Sequence, residues 1–257
     1  MFLLCLGWCR ISAYSGMRTS GNKRRLGVRS ASEAGLLPFR PGPGGARKGA
    51  GRKPKGEVAM LPHTTRVEVS RHHPVHVTVK LAKGLPSLRC GEVRKVLWKA
   101  FAAGKQRFGF LLNHFVILKD HLHFVVEAED RVALSRGMQG LMIRMARALN
   151  RHWKRKGTVF GDRYHGRALK TPKEVRHALR YVFGNAHKHF EQGKGPKVEE
   201  PIDLFSSAPW FDGFVESVTI RNLDRYARPT ADPSTWLLRT GWKRHGLLSV
   251  HERPKVV

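Results

Sequence analysis

The sequence predicts an α+β fold in which helices pack on an antiparallel sheet, and its strand patterns are the first support for this prediction. Residues 74–81 alternate polar and apolar side chains with many β-branched residues, as a half-buried strand does. Residues 108–118 and 121–127 form two strand-like runs separated only by Lys119 and Asp120. Such a break between two apolar runs indicates an antiparallel hairpin.

The helical patterns lie between and after these strands. Apolar residues recur at three- and four-residue spacings in residues 91–104 and 131–154, which predicts two amphipathic helices. A basic loop and a short strand follow, and then a last helix over residues 172–190, where Thr171 can cap and Pro172 suits the first turn. The order β-α-β-β-α-β-α predicts a ferredoxin-like or RRM-like antiparallel sheet with helices on one face and an additional C-terminal helix. Many functions share that fold, so function depends on individual residues.

The charge distribution predicts three regions. The chain of 257 residues has 48 Lys+Arg against 19 Asp+Glu, a formal charge of +29 that favours binding to nucleic acid. Residues 1–56 carry 12 basic and 1 acidic residue among Gly, Ser and Pro, which predicts a disordered basic arm. Residues 57–190 carry 26 basic and 9 acidic residues and form the predicted folded domain. Residues 191–257 carry 10 basic and 9 acidic residues and form a nearly neutral extension, to which the sequence assigns no role.

The cysteine content favours a reducing compartment. The three cysteines, Cys5, Cys9 and Cys90, form no CxxC pair, which argues against a disulfide framework and a cysteine-based zinc site. The apolar residues 1–11 lack a basic start and a cleavage site, and no stretch approaches the roughly 20 apolar residues of a membrane helix. We therefore expect a cytoplasmic, nucleoid-associated protein without a membrane partner.

The first candidate site is the pair His121 and His123 in the second hairpin strand. Side chains alternate along a strand, so both imidazoles project from one face and can share a metal ion, while Leu122 points to the other face. An isolated His-x-His pair is a weak signal in a chain with 14 histidines. Surface or core histidines remain the alternative interpretation.

The second candidate site is Tyr181 with Asn185 in the last predicted helix. Residues four apart lie one above the other on a helix face. A phenol attacks phosphorus when a neighbouring cation stabilises the phenolate and polarises the phosphate. Alone, this pair is equally consistent with ordinary packing, and it gains weight only beside the histidines.

The third candidate site is the basic, aromatic segment from Arg151 to Lys170. Cationic side chains that follow a phosphate backbone, with aromatic rings between them, are typical of single-strand binding, although a solvated charged loop is the alternative. The predicted DNA-binding residues are Arg151, Lys154, Arg155, Arg163, Tyr164, His165, Arg167 and Lys170.

These segments together resemble a known family. The succession "DHLHFVVEAED", a basic helix, "FGDRYHGRALKTP" and "ALRYVFGNAHKH" is similar to the single-tyrosine HUH transposases of the IS200-like group, especially the REP-associated tyrosine transposases. The resemblance implies that Tyr181 is the nucleophile, that His121 and His123 bind Mg²⁺ or Mn²⁺, and that Asn185 is a third ligand or a polar support. It also implies an enzyme, with residues 57–190 as its catalytic domain, that cleaves and rejoins single-stranded DNA, with hairpin ends, through a 5′-phosphotyrosine.

The sequence departs from the family pattern at two positions. Asp120 stands where an asparagine is common before the first histidine, and its carboxylate could orient an imidazole or close the hairpin. Gly184 lies inside the predicted nucleophile helix, where glycine costs about 1 kcal/mol relative to alanine. Neither change removes a catalytic group, but Gly184 leaves open how rigidly Tyr181 is held.

Four other interpretations stay open at this point. The chain could be a non-catalytic nucleic-acid-binding module of RRM-like fold or a domesticated copy that binds DNA without moving it. It could also be a metal-dependent hydrolase without a covalent intermediate, or a two-tyrosine relaxase, although the core offers only Tyr164 and Tyr181. Homodimerisation, and the use of Tyr181 on its own or a partner's subunit, are not determined by the sequence.

Overall fold

The computed structural model describes residues 69–193, 198, 201–220 and 222–254. The basic arm predicted for residues 1–56 lies outside the described residues, as does the first part of the predicted catalytic domain. In the part that is described, no helix combines the length and apolar character that crossing a bilayer requires.

The observed elements follow the predicted β-α-β-β-α-β-α order, with one short strand added before the hairpin. The strands and long helices are β1 (Val75–Lys80), α1 (Gly91–Ala102), β2 (Gln106–Arg107), β3 (Phe110–Ile117), β4 (His121–Ala128), α2 (Arg131–His152), β5 (His165–Ala168) and α3 (Pro172–Glu191). After α3 come the 3-10 turns Ala208–Trp210, Leu223–Arg225 and Gly241–His245, and the short helix α4 (Trp236–Arg239).

The five strands form one antiparallel sheet in the order β2-β3-β4-β1-β5. Apart from β2, this is the strand order of a ferredoxin-like sandwich, so the predicted α+β fold class is confirmed. β1 lies between β4 and β5, which places side chains of three strands next to one another on each face.

The two faces of the sheet are covered by different helices. Val75, Val77 and Val79 of β1 pack into a core with α1 and α2. The alternate residues of β1, including His76 and Thr78, therefore point to the opposite face. That opposite face is covered by α3, whose Val182 packs with Val125 of β4. The additional helix predicted from the sequence is thus the one that covers the second face.

A bulge in β3 adjusts which of its residues face α3. The register with β4 shifts between Leu112 and His114, so that Asn113 is the extra residue. Leu112 packs with α1 and α2, yet Val116 packs with α3, because the bulge reverses the alternation. His114 consequently lies under α3, against the ring of Phe183.

The carboxyl-terminal residues complete the second core. Ile202, Leu238, Trp242 and Val250 are buried together with the apolar face of α3. A buried ion pair between Arg89 and Asp203, with guanidinium-to-carboxylate distances of 2.8 and 2.9 Å, joins this segment to the first core. The predicted extension therefore packs on the predicted catalytic domain from residue 202 onward.

Candidate active site

Strand β4 places the two predicted metal ligands side by side on the face that α3 covers. The ring centroids of His121 and His123 are 5.0 Å apart and nearly perpendicular. Thr78, the register partner of His123 on β1, has its hydroxyl oxygen 3.0 Å from Nδ1 of His123. In the hairpin turn, Nδ1 of His121 donates to the carboxylate of Asp120 at 2.7 Å.

These contacts determine which ring nitrogens are available for coordination. A carboxylate only accepts, so Nδ1 of His121 carries a proton, and Nε2 is the nitrogen that could face a metal ion. The hydrogen bond from His121 also lowers the pKa of Asp120. Nδ1 of His123 likewise forms a hydrogen bond with the hydroxyl of Thr78, so Nε2 of His123 is the nitrogen that faces α3. An imidazole oriented by a polar partner on its second nitrogen is typical of metal-binding histidines.

Helix α3 brings Tyr181 to the same place. The helix begins with a capping box, in which Thr171 and Glu174 bond each other's backbone N–H groups, and with Pro172 in its first turn. Three turns later, the hydroxyl oxygen of Tyr181 lies 3.5 Å from Nε2 of His123, and the two rings are nearly perpendicular at 5.0 Å. The structure therefore brings together the predicted nucleophile, Tyr181, and the predicted metal-binding pair, which lie in separate segments of the sequence.

The environment of Tyr181 keeps its phenol protonated in the resting site. Burial raises the pKa of Tyr181, and its hydrogen bond with Asn185 opposes that effect. A neutral phenol is a weak nucleophile, so its reaction with phosphorus requires positive charge close to the oxygen. Lys80, Arg167 and the histidines of this face are the cationic and imidazole groups that the sheet supplies.

Asn185 is placed where the sequence predicted it, one helical turn beyond Tyr181. It is only 1% exposed, and its Nδ2 atom is buried without a hydrogen-bond partner. Nδ2 is a hydrogen-bond donor, so the group that would satisfy it is an acceptor, such as a phosphate oxygen, and not a cation. Among the described residues no three His, Cys, Asp or Glu side chains are gathered to hold a metal. The amide oxygen of Asn185 is a ligand type that Mg²⁺ and Mn²⁺ accept, so this residue could complete a metal site with His121 and His123.

His76 is a site residue that the sequence analysis missed. Its ring stacks on His123 at a centroid distance of 5.2 Å and meets the edge of Tyr181 at 5.7 Å. Burial, and then the charge of Arg167 and His165, lowers the pKa of His76 to about 4. The sequence offered one signal for His76, its position in the predicted strand β1 two residues from Thr78, which places both side chains on the same face. The pairing of β1 with β4, which brings it to His123, cannot be read from the sequence.

Burial also keeps His123 neutral. Its side chain is 5% exposed, and burial followed by the neighbouring His76 and His121 lowers its pKa to about 2. A neutral imidazole has the lone pair that coordination of a cation requires. His189, near the end of α3, extends the cluster, since its ring centroid is 5.6 Å from that of His121.

The predicted DNA-binding residues separate into two groups. Arg151, Lys154 and Arg155 lie at the end of α2 and in the turn that follows it, on the side of the sheet opposite Tyr181. His165 and Arg167 lie on β5 opposite Thr78 and His76 of β1. Paired side chains in a ladder share a face, so this second group borders the candidate active site.

The remaining three predicted DNA-binding residues differ in exposure. Tyr164 is 8% exposed and packs in the core beneath α2, so little of its ring is open to a base, although it also lines the cleft described next. Lys170 is exposed, and its backbone N–H donates to Glu174 at the start of α3. Arg163 lines a cleft of about 570 Å³ between α2 and the loop before β5. Gln139, Ile143 and Phe160 form other walls of this cleft.

Helix α2 adds Arg136 and Arg147, which the predicted list did not contain, to Arg151, which it did. It has five arginines and no acidic residue, and Arg136, Arg147 and Arg151 are exposed. Residues 136, 147 and 151 follow one side of the helix over about 22 Å, given a rise of 1.5 Å per residue. A row of cations of that length is suited to a phosphate backbone.

Comparison with known proteins finds one family model that matches part of the chain. Residues 73–184 match the model of the family described as IS200-like transposases. The match starts two residues before β1 and ends inside α3, so it contains His121, His123 and Tyr181. Asn185 and the carboxyl-terminal segment lie beyond it.

Two solved structures are similar to this chain. One is a REP-associated tyrosine transposase bound to a REP hairpin, with 19% identity and a TM-score of 0.42 over 50% of this chain and 74% of that chain. The other is the crystal structure of a candidate transposase from Deinococcus radiodurans R1, with 14% identity and a TM-score of 0.34 over 57% of this chain and 99% of that chain. No curated protein sequence matches the chain.

Proposed function

Residues 73–184 match the model of the IS200-like transposase family, and on that premise we propose that the chain is a member of this family and a DNA strand transferase that acts through Tyr181. The observation that carries the proposal is the distance of 3.5 Å between the Tyr181 hydroxyl and Nε2 of His123. A tyrosine that only fills space in a core does not require neutral imidazoles around its hydroxyl. A tyrosine that attacks a phosphodiester needs polar groups and a cation at that position.

The reaction exchanges one phosphate ester for another. The Tyr181 oxygen attacks the phosphorus and loses its proton, the new bond joins the tyrosine to the 5′ phosphate, and the bond to the 3′ oxygen breaks. The 3′ oxygen takes up a proton and leaves as a free hydroxyl. Because the ester energy is kept in the phosphotyrosine, the same 3′ hydroxyl, or another, can reverse the step and join strands without ATP.

His121, His123 and Asn185 are the residues that would hold Mg²⁺ or Mn²⁺. When bound, the ion would polarise the phosphate and stabilise the negative charge that develops during attack. Thr78 and Asp120 orient the two imidazoles, and the hydrogen bond between Asn185 and Tyr181 links the third ligand to the nucleophile. The lowered pKa values of His76 and His123 keep their lone pairs free of protons at neutral pH.

The substrate that fits these surfaces is single-stranded DNA with a hairpin. His165 and Arg167 on β5 border Tyr181 and suit the strand to be cut, because β5 is the edge of the sheet. The exposed arginines of α2 lie on the opposite side of the sheet and suit the backbone of a paired stem. The net charge of +29 would draw such a polyanion to the protein at a rate that depends on salt.

A cleavage assay with two labels tests this proposal. A hairpin oligonucleotide labelled at its 3′ end should shift to a protein-bound band on a denaturing gel with Mn²⁺. The same oligonucleotide labelled at its 5′ end should give a short free product that a polymerase can extend, because it ends in a 3′ hydroxyl. Two free fragments would indicate a hydrolase without a covalent intermediate, and binding without any cut would indicate a non-catalytic or domesticated protein.

A further inference from the structure

The side of α3 that turns away from the sheet is covered by the turn Gly241–His245 and by the carboxyl-terminal segment, residues 246–254. Leu248 and Val250 of this segment are buried in the same core as Val182 and Phe183 of α3. Tyr181 therefore belongs to a helix that is enclosed between the sheet and residues 246–254. The family match ends at residue 184, so this contact is not part of the matched region.

An ion cluster fixes residues 246–254 to α3 next to Tyr181. The carboxylate of Glu252 accepts from Arg176 at 2.8 and 3.0 Å and from Arg180 at 3.1 Å. These side chains are only 16–23% exposed, so solvent screens the interaction less than on an open surface. Arg176 also donates to the backbone carbonyls of Gly246 and Leu247 at 3.0 and 3.1 Å. One helix residue thus holds both ends of the segment.

The glycine in α3 allows the close approach of this segment. A Cβ atom at Gly184 would lie 2.7 Å from Cδ of Pro254 and 3.2 Å from the carbonyl oxygen of Glu252. The first distance is too short for any real side chain, so an alanine would push Pro254 away from the helix. Glycine is a poor helix former, and its place in the middle of α3 is explained by this contact rather than by the helix itself.

We propose that residues 246–254 are a clamp that holds α3 on the sheet and sets the position of Tyr181, with Glu252 as its main positioning residue. The consequence for catalysis rests on the proposed function of Tyr181. Arg180 precedes Tyr181 in the chain, and Arg176 lies just over one turn before it. Glu252 therefore resists rotation of the helix that would carry the hydroxyl of Tyr181 away from His123.

Charge reversal and its rescue test the clamp. Glu252→Arg places three cations together and should slow formation of the DNA adduct by about 10- to 100-fold, the loss that a displacement near 1 Å causes. The double variant Glu252→Arg with Arg180→Glu restores an ion pair, keeps the hydrogen bonds from Arg176 to Gly246 and Leu247, and should recover most of the rate. Glu92→Arg on α1 makes the same change in net charge far from α3, and so controls for altered DNA affinity. A clamp predicts a slower rate of adduct formation in Glu252→Arg with DNA binding at least as tight as in Glu92→Arg.

A second pair of variants tests the same clamp without charge. Gly184→Ala should slow adduct formation although alanine is the better helix former, and Gly184→Ala with Pro254→Ala should recover the rate because the obstructing ring is removed. Wild-type rates in both Glu252→Arg and Gly184→Ala would overturn the proposal. Loss of rate in both double variants would overturn it as well.

Hydrogen exchange of α3 separates the clamp from the chemistry. Backbone amides of residues 181–185 should exchange faster in Glu252→Arg and Gly184→Ala than in the wild type, and more slowly again in the double variants. If the wild type forms no adduct, the proposed function fails, and the exchange rates still decide whether the clamp exists. Unchanged exchange in the single variants would contradict it whatever the activity.

Discussion

The hydroxyl oxygen of Tyr181 on α3 lies 3.5 Å from Nε2 of His123 on β4, although 58 residues separate them in the chain. The contact exists because His123 points away from the α1 and α2 core, and because α3 covers the face to which it points. Thr78, Asp120 and Asn185 then orient the groups around it. Each prediction below changes one part of this arrangement.

Removal of the histidine pair should abolish cleavage and leave DNA binding nearly intact. His121→Ala or His123→Ala takes away a predicted ligand, whereas affinity depends on Lys and Arg contacts with phosphates. Cleavage by the wild type should stop with EDTA and return with Mn²⁺. His72→Ala, at an exposed position before β1, is the control and should cleave normally. If DNA binding and folding were lost together with cleavage, the histidines would have a structural role instead.

Loss of the exposed arginines of α2 should weaken DNA binding and flatten its dependence on salt. With Arg147→Gln and Arg151→Gln together, the slope of log K against log salt should decrease by about 1 for each phosphate contact that is lost. Binding isotherms between about 50 and 200 mM salt measure this slope. Lys95→Gln on α1 removes one exposed cation elsewhere and should change the slope less. Equal slopes for all three proteins would exclude α2 from the DNA interface.

Acid should destabilise the fold from about pH 6.5 downward. Burial, and then the charge of Arg228, lowers the pKa of His114 to about 3. Below its ordinary pKa of about 6.5 the unfolded chain binds a proton at this residue that the folded chain does not, so the free energy of unfolding falls as pH falls. One such group accounts for at most about 1.4 kcal/mol per pH unit. His76 and His123 act in the same direction.

Melting temperatures of the wild type and the His114→Phe variant test whether His114 causes this loss of stability in acid. Between pH 7.5 and 4 the variant should lose less stability than the wild type, because one buried imidazole no longer titrates. Phenylalanine also suits the site, since the rings of Phe183 and Phe211 lie 5.5 and 5.4 Å from that of His114. A pH dependence equal to that of the wild type would show that His114 does not contribute.

Replacement of Glu127 should detach the start of α4 from the sheet. This carboxylate is 3% exposed and accepts from the backbone N–H of Ser234 and Thr235 at 2.7 and 2.8 Å, from the Ser234 hydroxyl, and from Asn113. Glu127→Ala leaves these buried donors unsatisfied and should lower the free energy of unfolding by about 3 kcal/mol in urea denaturation. Glu129→Ala, an exposed neighbour, should cost under 1 kcal/mol. A similar decrease in the free energy of unfolding for both variants would contradict the role of Glu127 in holding the start of α4.

The sequence predicts the order of the main elements well, because strand alternation and helical periodicity are local properties. The predicted boundaries of α1, α2 and α3 agree with the structure to within about two residues. The short strand β2 is too brief to give a pattern. The bulge at Asn113 is hidden in "FLLNHFVI", where every residue is buried or nearly so and no alternation marks the change of face.

The carboxyl-terminal segment shows why some contacts cannot be predicted. Its turns and short helix have little periodicity, and its stability comes from distant partners such as Arg176 with Glu252. From the sequence alone, Gly184 only lowers the stability of the helix, and the contact with Pro254 that requires a glycine is visible only in the structure. In the same way, Tyr164 reads as an exposed aromatic among basic residues, and only the packing of β5 beneath α2 shows that it is buried.

The candidate site could be predicted in part. The His-x-His spacing and the Tyr181 to Asn185 spacing are short-range patterns, so each gives a face of one element. That the two faces meet depends on which side of the sheet α3 covers, and the resemblance to a family supplied that link. His76 could not be placed, because the alignment of β1 with β4 depends on the whole sheet.

The central claim is that Tyr181 becomes covalently joined to DNA, and mass mapping of the adduct tests it most directly. Wild-type protein, Tyr181→Phe and Tyr164→Phe are incubated with hairpin DNA and Mn²⁺, digested with nuclease and protease, and searched for nucleotide-bearing peptides. The account predicts a nucleotide on the peptide containing Tyr181 in the wild type and in Tyr164→Phe, and none in Tyr181→Phe, which should still fold and bind DNA. A nucleotide found on Tyr164, or DNA cleavage that persists in Tyr181→Phe, would contradict it.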